Sequence, residues 1–218
     1  YFNTIATFIT RRNFEQNIVD LGLHNLPVRL IGNGGGLVYA PLGPTHQAIE
    51  DIAIMRTIPN MNIIAPCDSN EMKSLMPQTV KLKGPLYIRL ARGGDKIVTQ
   101  KIKKIKFGKS ILFGNPLDIL FVTTGITTQE CLNVIKKLKL KKINAGVLHN
   151  HTIKPFDKKN LIKFVKNTKL VVTVEEHIVS GGLGSLVLET LNLFNSSSIK
   201  NLLRIGINDT FVKKYGSQ

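Results

Sequence analysis

The feature that most restricts the fold of this sequence is a regular alternation of short β-branched runs with segments of helical periodicity. Phe14, Ile18 and Leu21 fall at i, i+4 and i+7, which predicts a helix over residues 13–23 closed by Asn25 and Pro27. A strand follows over 26–32. Gly43-Pro44-Thr45-His46 then opens a helix with Thr45 as its cap, continuing through Ile49, Ile52, Ala53 and Arg56 to Pro59. Strands are expected at 61–65 and 86–90, with residues 66–71 leading into a helix between them. A second series starts at a buried strand over 117–124. It continues with a helix over 127–138, capped by Thr127 or Thr128 and turning Cys131, Val134, Ile135 and Leu138 inward. A strand at 144–149, a helix at 157–165, a strand at 169–175 and a helix at 184–194 complete it. Such alternation predicts an α/β protein with mainly parallel sheets, whose functional groups lie in loops at the carboxyl ends of the strands.

The chain has 218 residues, enough for two successive α/β domains. Between residues 94 and 109 the composition turns to Lys and Ile with no aligned helical face, so this stretch reads as a linker between domains at 1–93 and 110–218. No sequence repeat relates the two halves. Hydrophobic residues at 43% and charged residues at 20% exclude a disordered chain, and no apolar run approaches the roughly 18 residues of a membrane helix. The net charge of +16 invites a nucleic-acid reading. The basic residues, however, are 23 Lys against 7 Arg, aromatics are 6% and Trp is absent, which favours solvated Lys faces and no nucleic-acid partner. Cys67 and Cys131 stand far apart, indicating neither a disulfide framework nor a zinc site and fitting a reducing cytoplasm. Residue 1 is Tyr and no signal peptide follows, so the sequence is expected to start mid-protein. Residues 209–218 begin like an amphipathic helix that stops within about two turns, an expected truncation.

Common catalytic motifs fail on spacing. There is no H-E-x-x-H, G-x-S-x-G or Walker lysine, and His149 and His151 lack a third ligand. The glycines at 181, 182 and 184 resemble a phosphate-binding turn, although a tight strand-to-helix turn explains them more simply. The run Gly32-Asn33-Gly34-Gly35-Gly36 requires positive φ or close backbone approach. His46, beside that run, is the better candidate, because an imidazole there can take or give a proton.

Three segments carry a resemblance. Gly43 to Asn60 followed by Pro66-Cys67-Asp68-Ser69-Asn70-Glu71 closely resembles the pyrimidine-binding domain of transketolases, and residues 84–93 resemble the arginine-containing strand that ends it. Residues 172–184 resemble the signature of the transketolase C-terminal domain. The match covers essentially the whole chain and is most similar to separately encoded C-terminal transketolase subunits, with 1-deoxy-D-xylulose-5-phosphate synthase and 2-oxoacid dehydrogenase β chains as alternatives.

The resemblance implies a thiamine diphosphate pyrimidine-binding domain followed by a transketolase C-terminal domain. It implies transfer of a two-carbon ketol unit between sugar phosphates, with an active site at a subunit interface. The diphosphate and a Mg2+ or Ca2+ ion would sit on an N-terminal partner domain or subunit, within a homodimer or heterotetramer. The family's catalytic glutamate would lie upstream of Tyr1, and Glu15 does not replace it; this chain alone is expected to be inactive. Phe8 would contact the pyrimidine, and Ile5, Arg11 or Phe14 could share that surface. His46 would reach the substrate oxygen, and Arg92 would grip a sugar phosphate. Pro41-Leu42 stand where the family carries Glu-Asp, and Gly34 where it carries a histidine. Loss of those polar groups puts ordinary xylulose 5-phosphate use in doubt and points to a different or modified sugar.

Overall fold

The structure, a computed structural model, describes residues 1–194 and 201–213. It contains two five-stranded sheets. The first runs β1 (Phe2–Ile5), β2 (Arg29–Asn33), β4 (Leu86–Leu90), β3 (Asn62–Ile64), β8 (Thr152–Lys154). Its first four strands are parallel, and β8 pairs antiparallel with β3. The second runs β10 (Leu202–Ile207), β9 (Leu170–Ile178), β6 (Ile119–Thr123), β7 (Ala145–His149), β5 (Ile111–Gly114), parallel except for β5. The helices are α1 (Ala6–Ile9), α2 (Phe14–Gln16), α3 (Asp51–Thr57), α4 (Ser69–Thr79), α5 (Thr127–Leu140), α6 (Lys158–Val165) and α7 (Leu183–Leu193). The helix expected over 13–23 is α2 running into a π turn at Asn17–Gly22.

The helix expected from Gly43 starts only at Asp51, because the backbone before it is used elsewhere. Ala48 exchanges hydrogen bonds with Gly36, N–H to O at 2.8 and 3.1 Å, so it serves the glycine loop rather than a helical turn. Thr45 therefore caps nothing, and His46 sits in a turn. Three further expectations change. Val134 is exposed, since only part of the α5 face meets the sheet, and neither threonine side chain caps that helix. Residues 209–213 are not helical; Val212 instead offers its carbonyl to Gln47 Nε2 at 3.0 Å. The rest of that segment, 214–218, lies outside the described residues.

Residues 94–109 hold no helix or strand, yet they are pinned. Asp68 caps α4 by accepting from Glu71 N–H at 2.8 Å. The same carboxylate accepts from Val98 N–H, Thr99 N–H and the Thr99 hydroxyl at 2.7 to 2.8 Å. Ile105 is buried against Ile64, Leu75, Leu86 and Ile88. The Lys side chains of this stretch point out, as does Ile97, while Ile102 and Ile105 give it a seat.

One apolar core crosses both halves: Ile52, Met55, Ile58 and Ile63 from the first join Leu120, Leu148, Ile153 and Leu183 from the second. A polar seam runs alongside. Asp51, fully buried, binds Arg89 Nε and the Tyr87 hydroxyl, each at 2.7 Å, and Arg89 also donates to the carbonyls of Ala48 and Glu176. Arg56 donates to Gly181 O at 2.5 Å and pairs with Glu189. Lys154 donates to the carbonyls of Arg56 and Ile58 at the end of α3, where the helix dipole favours a cation.

Candidate functional site

The carboxyl edge of the first sheet gathers the candidate residues. β1 ends at Ile5 and turns at once into α1, which carries Phe8. The loop after β2 returns with His46, and the Phe8 and His46 rings meet edge to face with centroids 5.3 Å apart. Thr45 Oγ1 lies 2.9 Å from His46 Nδ1 and orients the imidazole, leaving Nε2 for a ligand. Two arginines fasten this loop. Arg11 binds Glu50 at 2.6 Å and the Pro44 carbonyl at 3.0 Å; Arg12 binds the Thr45 carbonyl at 3.0 Å and lays its guanidinium 4.0 Å above the Phe8 ring. Burial pushes the Glu50 carboxyl up from the usual range, with Arg11 opposing.

The glycine run is needed for closeness as well as for φ. Gly36 has φ of 73°, and a Cβ there would lie 2.1 Å from a Glu176 carboxylate oxygen of the second half. Gly34 has φ of 74°, and the Tyr39 ring fills the space a side chain would need.

Arg92 is exposed in a second neighbourhood of the same edge. It lines a groove of about 360 Å³ with Asn33, Pro66, Cys67, Asp68 and Ser69, at the ends of β2, β3 and β4. Ile5 links the two neighbourhoods, because its register partner on β2 is Asn33. The structure thus brings Phe8 and His46 into contact and sets Ile5 and Arg92 on the same sheet edge, Arg92 in its separate groove. Sequence reasoning offers Arg11 as a neighbour of the pyrimidine contact but passes over Arg12 and the Asp51–Arg89 pair as site-shaping residues. Glu15 is exposed on α2.

The Gly181–Gly184 turn holds an internal ligand. Glu175 of β9 accepts from Leu183 N–H at 2.6 Å and Gly184 N–H at 2.8 Å, so a carboxylate of the chain itself occupies the start of α7. Burial nevertheless pushes that carboxyl up to about 7. His149 does find further partners, from residues distant in sequence: its Nε2 lies 2.8 Å from Glu71 Oε2, with Cys67 adjacent. His151 bonds Thr152 Oγ1 at 2.8 Å, and burial lowers it to about 4.

An aromatic ring, an aliphatic side chain and an oriented imidazole on one strand edge suit a flat heteroaromatic ligand such as a pyrimidine. Arg12 covers one face of Phe8 and is itself exposed.

The structure is thus that of a two-part α/β protein with mainly parallel sheets and its candidate ligand edge on the first part. The family model described as "Transketolase, pyrimidine binding domain" matches residues 1–94, and that described as "Transketolase, C-terminal domain" matches residues 115–218. The chain belongs to the transketolase family, of which it carries these two domains. It is 33% identical over 211 residues to the 6-deoxy-6-sulfo-D-fructose transketolase subunit SqwH of Clostridium sp. (strain MSTE9), covering 97% of this chain and 65% of that protein. It is 34% identical over 214 residues to 1-deoxy-D-xylulose-5-phosphate synthase of Symbiobacterium thermophilum, covering 97% of this chain and 32% of that one. A solved structure described as "Split gene transketolase, inactive beta4 tetramer" superposes with a TM-score of 0.84 at 32% identity, covering 94% of this chain and 66% of that chain. The chain therefore spans less than two thirds of the length of each of these relatives. Among the described residues, no helix is long and apolar enough to cross a membrane.

Proposed function

We propose that this chain is the pyrimidine-side part of a thiamine diphosphate-dependent transketolase that moves a two-carbon ketol unit between sugar phosphates. The observation that carries the reading is the Phe8–His46 contact at the carboxyl edge of the first sheet, in a chain matched by both transketolase domains. Bound thiamine diphosphate supplies the carbanion-stabilising chemistry. Its diphosphate and a Mg2+ or Ca2+ ion belong to a partner domain or subunit, in a homodimer or heterotetramer of the cytoplasm.

Phe8 and Ile5 give the pyrimidine an apolar seat. His46, its Nδ1 engaged by Thr45, offers Nε2 to the substrate oxygen and stabilises negative charge there as it develops. Arg92 offers a planar fork to the sugar phosphate from the rim of its groove. Pro41 and Leu42, exposed on the loop that carries His46, face solvent with apolar groups. This favours a donor other than an ordinary ketose phosphate, and the sulfo-sugar in the name of one relative supports such divergence.

The test is ketol transfer by the assembled enzyme with its diphosphate-binding partner. His46→Ala should lower kcat by about a hundredfold or more while cofactor affinity holds; an unchanged kcat rejects the assignment. Pyruvate decarboxylation in place of ketol transfer would favour the 1-deoxy-D-xylulose-5-phosphate synthase reading.

A further inference from the structure

Three side chains of zinc-ligand type converge where the two halves meet. Cys67 follows β3, Glu71 stands in the first turn of α4 and His149 closes β7. All three are buried, and one ligand atom from each lies within 4.8 Å of the others. The capping arrangement leaves Glu71 half used. Its Oε2 accepts from Cys67 N–H at 2.7 Å and faces His149 Nε2 at 2.8 Å, whereas Oε1 is buried with no hydrogen-bond partner. Native proteins satisfy nearly all such oxygens, and a cation beside the thiol would supply what this one lacks. His149 is already oriented as a ligand. Its Nδ1 lies 2.7 Å from the Thr128 hydroxyl, which contacts Thr123 Oγ1 at 2.9 Å, so an outer hydrogen bond holds the ring with Nε2 toward Glu71.

We propose that Cys67, Glu71 and His149 bind a divalent transition-metal ion of the zinc class, joining the two halves of the chain. The donor set is sulfur, carboxylate and imidazole, which selects zinc-like ions over the hard, oxygen-seeking Mg2+ and Ca2+. On coordination the thiol releases its proton to solvent, the Nε2 proton of His149 is exchanged through solvent for one on Nδ1, which then donates to the Thr128 hydroxyl, and the ion takes the place of the direct Glu71–His149 hydrogen bond. Cys67 also lines the Arg92 groove, which gives the ion a way in. The ion is distinct from any held with a cofactor diphosphate, because its ligands come from this chain alone.

The experiment is titration of the assembled, chelator-stripped protein with Co2+ and Cd2+, read as thiolate-to-metal charge-transfer absorption, with Zn2+ affinity from calorimetry. One equivalent per chain is expected, with the band lost in Cys67→Ser and kept in Cys131→Ser. Thr128→Val should weaken affinity about ten- to a hundredfold. Circular dichroism checks each variant's fold, and His149→Gln stands as the second ligand variant if Cys67→Ser does not fold. Absence of the band in the wild type, or a band that survives both ligand variants, overturns the proposal.

Discussion

Single positions decide what this surface can recognise. Leu42 is 56% exposed on the loop that carries His46, so a polar group placed there would leave the core undisturbed and, on the proposed function, would face the sugar. Leu42→Asp is expected to shift donor preference toward hydroxyl-bearing ketose phosphates, measured as the ratio of kcat/KM between donors; an unchanged ratio removes Leu42 from the specificity surface. His151 shows the cost of burial. Its folded pKa of about 4 lies below the ordinary 6.5, so between these values the unfolded chain binds more protons than the folded one. Its contribution is therefore present above pH 6.5 and is lost as pH falls toward 4, by up to about 3 kcal/mol. Denaturant unfolding should accordingly show a flatter acid limb in His151→Gln than in the wild type. His46, Phe8 and Arg92 were legible as candidates because their types and neighbours carry a pattern. The groups that hold His46 and its loop were less so: Arg11 binds the Pro44 carbonyl and Glu50, Arg12 binds the Thr45 carbonyl, and Thr45, read from sequence as a helix cap, instead meets the His46 ring, all partners whose position only the folded loop sets.

At the level of elements, the sequence was clearest where apolar runs are long: β6, β7, β9, α5 and α6 lie within a few residues of their expected places. It was silent on β1, β5 and β8, which have three or four residues each, and on β10; all four sit at sheet edges and need no inward alternation. The false helix at residues 43–50 has a different cause. Its side chains suit a helix, but its backbone is claimed by the glycine loop through Ala48, a pairing that no local pattern announces. The start of α4 shows the reverse, an Asp-x-x-Glu sequence in which Asp68 caps as its spacing suggests, while Glu71 reaches one residue further back, to the Cys67 N–H. Asp68→Ala removes the cap together with the bonds to Val98 and Thr99, and is expected to destabilise by at least about 2 kcal/mol. Proteolysis should then cut first within residues 94–109, where those bonds hold the chain.

At the scale of the whole molecule, the sequence suggests two bodies and a tether, whereas the structure shows a shared core and a buried seam. Asp51, Arg89 and Tyr87 of the first half meet the Glu176 carbonyl of the second, and the apolar cluster is continuous across the boundary. The two halves are expected to unfold in one calorimetric transition. Asp51→Ala, which strands a buried guanidinium, should lower its midpoint by the equivalent of about 3–5 kcal/mol; two separate transitions in the wild type would refute the coupling.

The strand exchanged between the halves also sets an order of events during synthesis. β3 is covered on one side by β8, which belongs to the second half of the polypeptide. A ribosome releases the amino-terminal half first, so the nascent β3 edge must wait, bare and able to pair with a neighbour, until residues 152–154 emerge to close it.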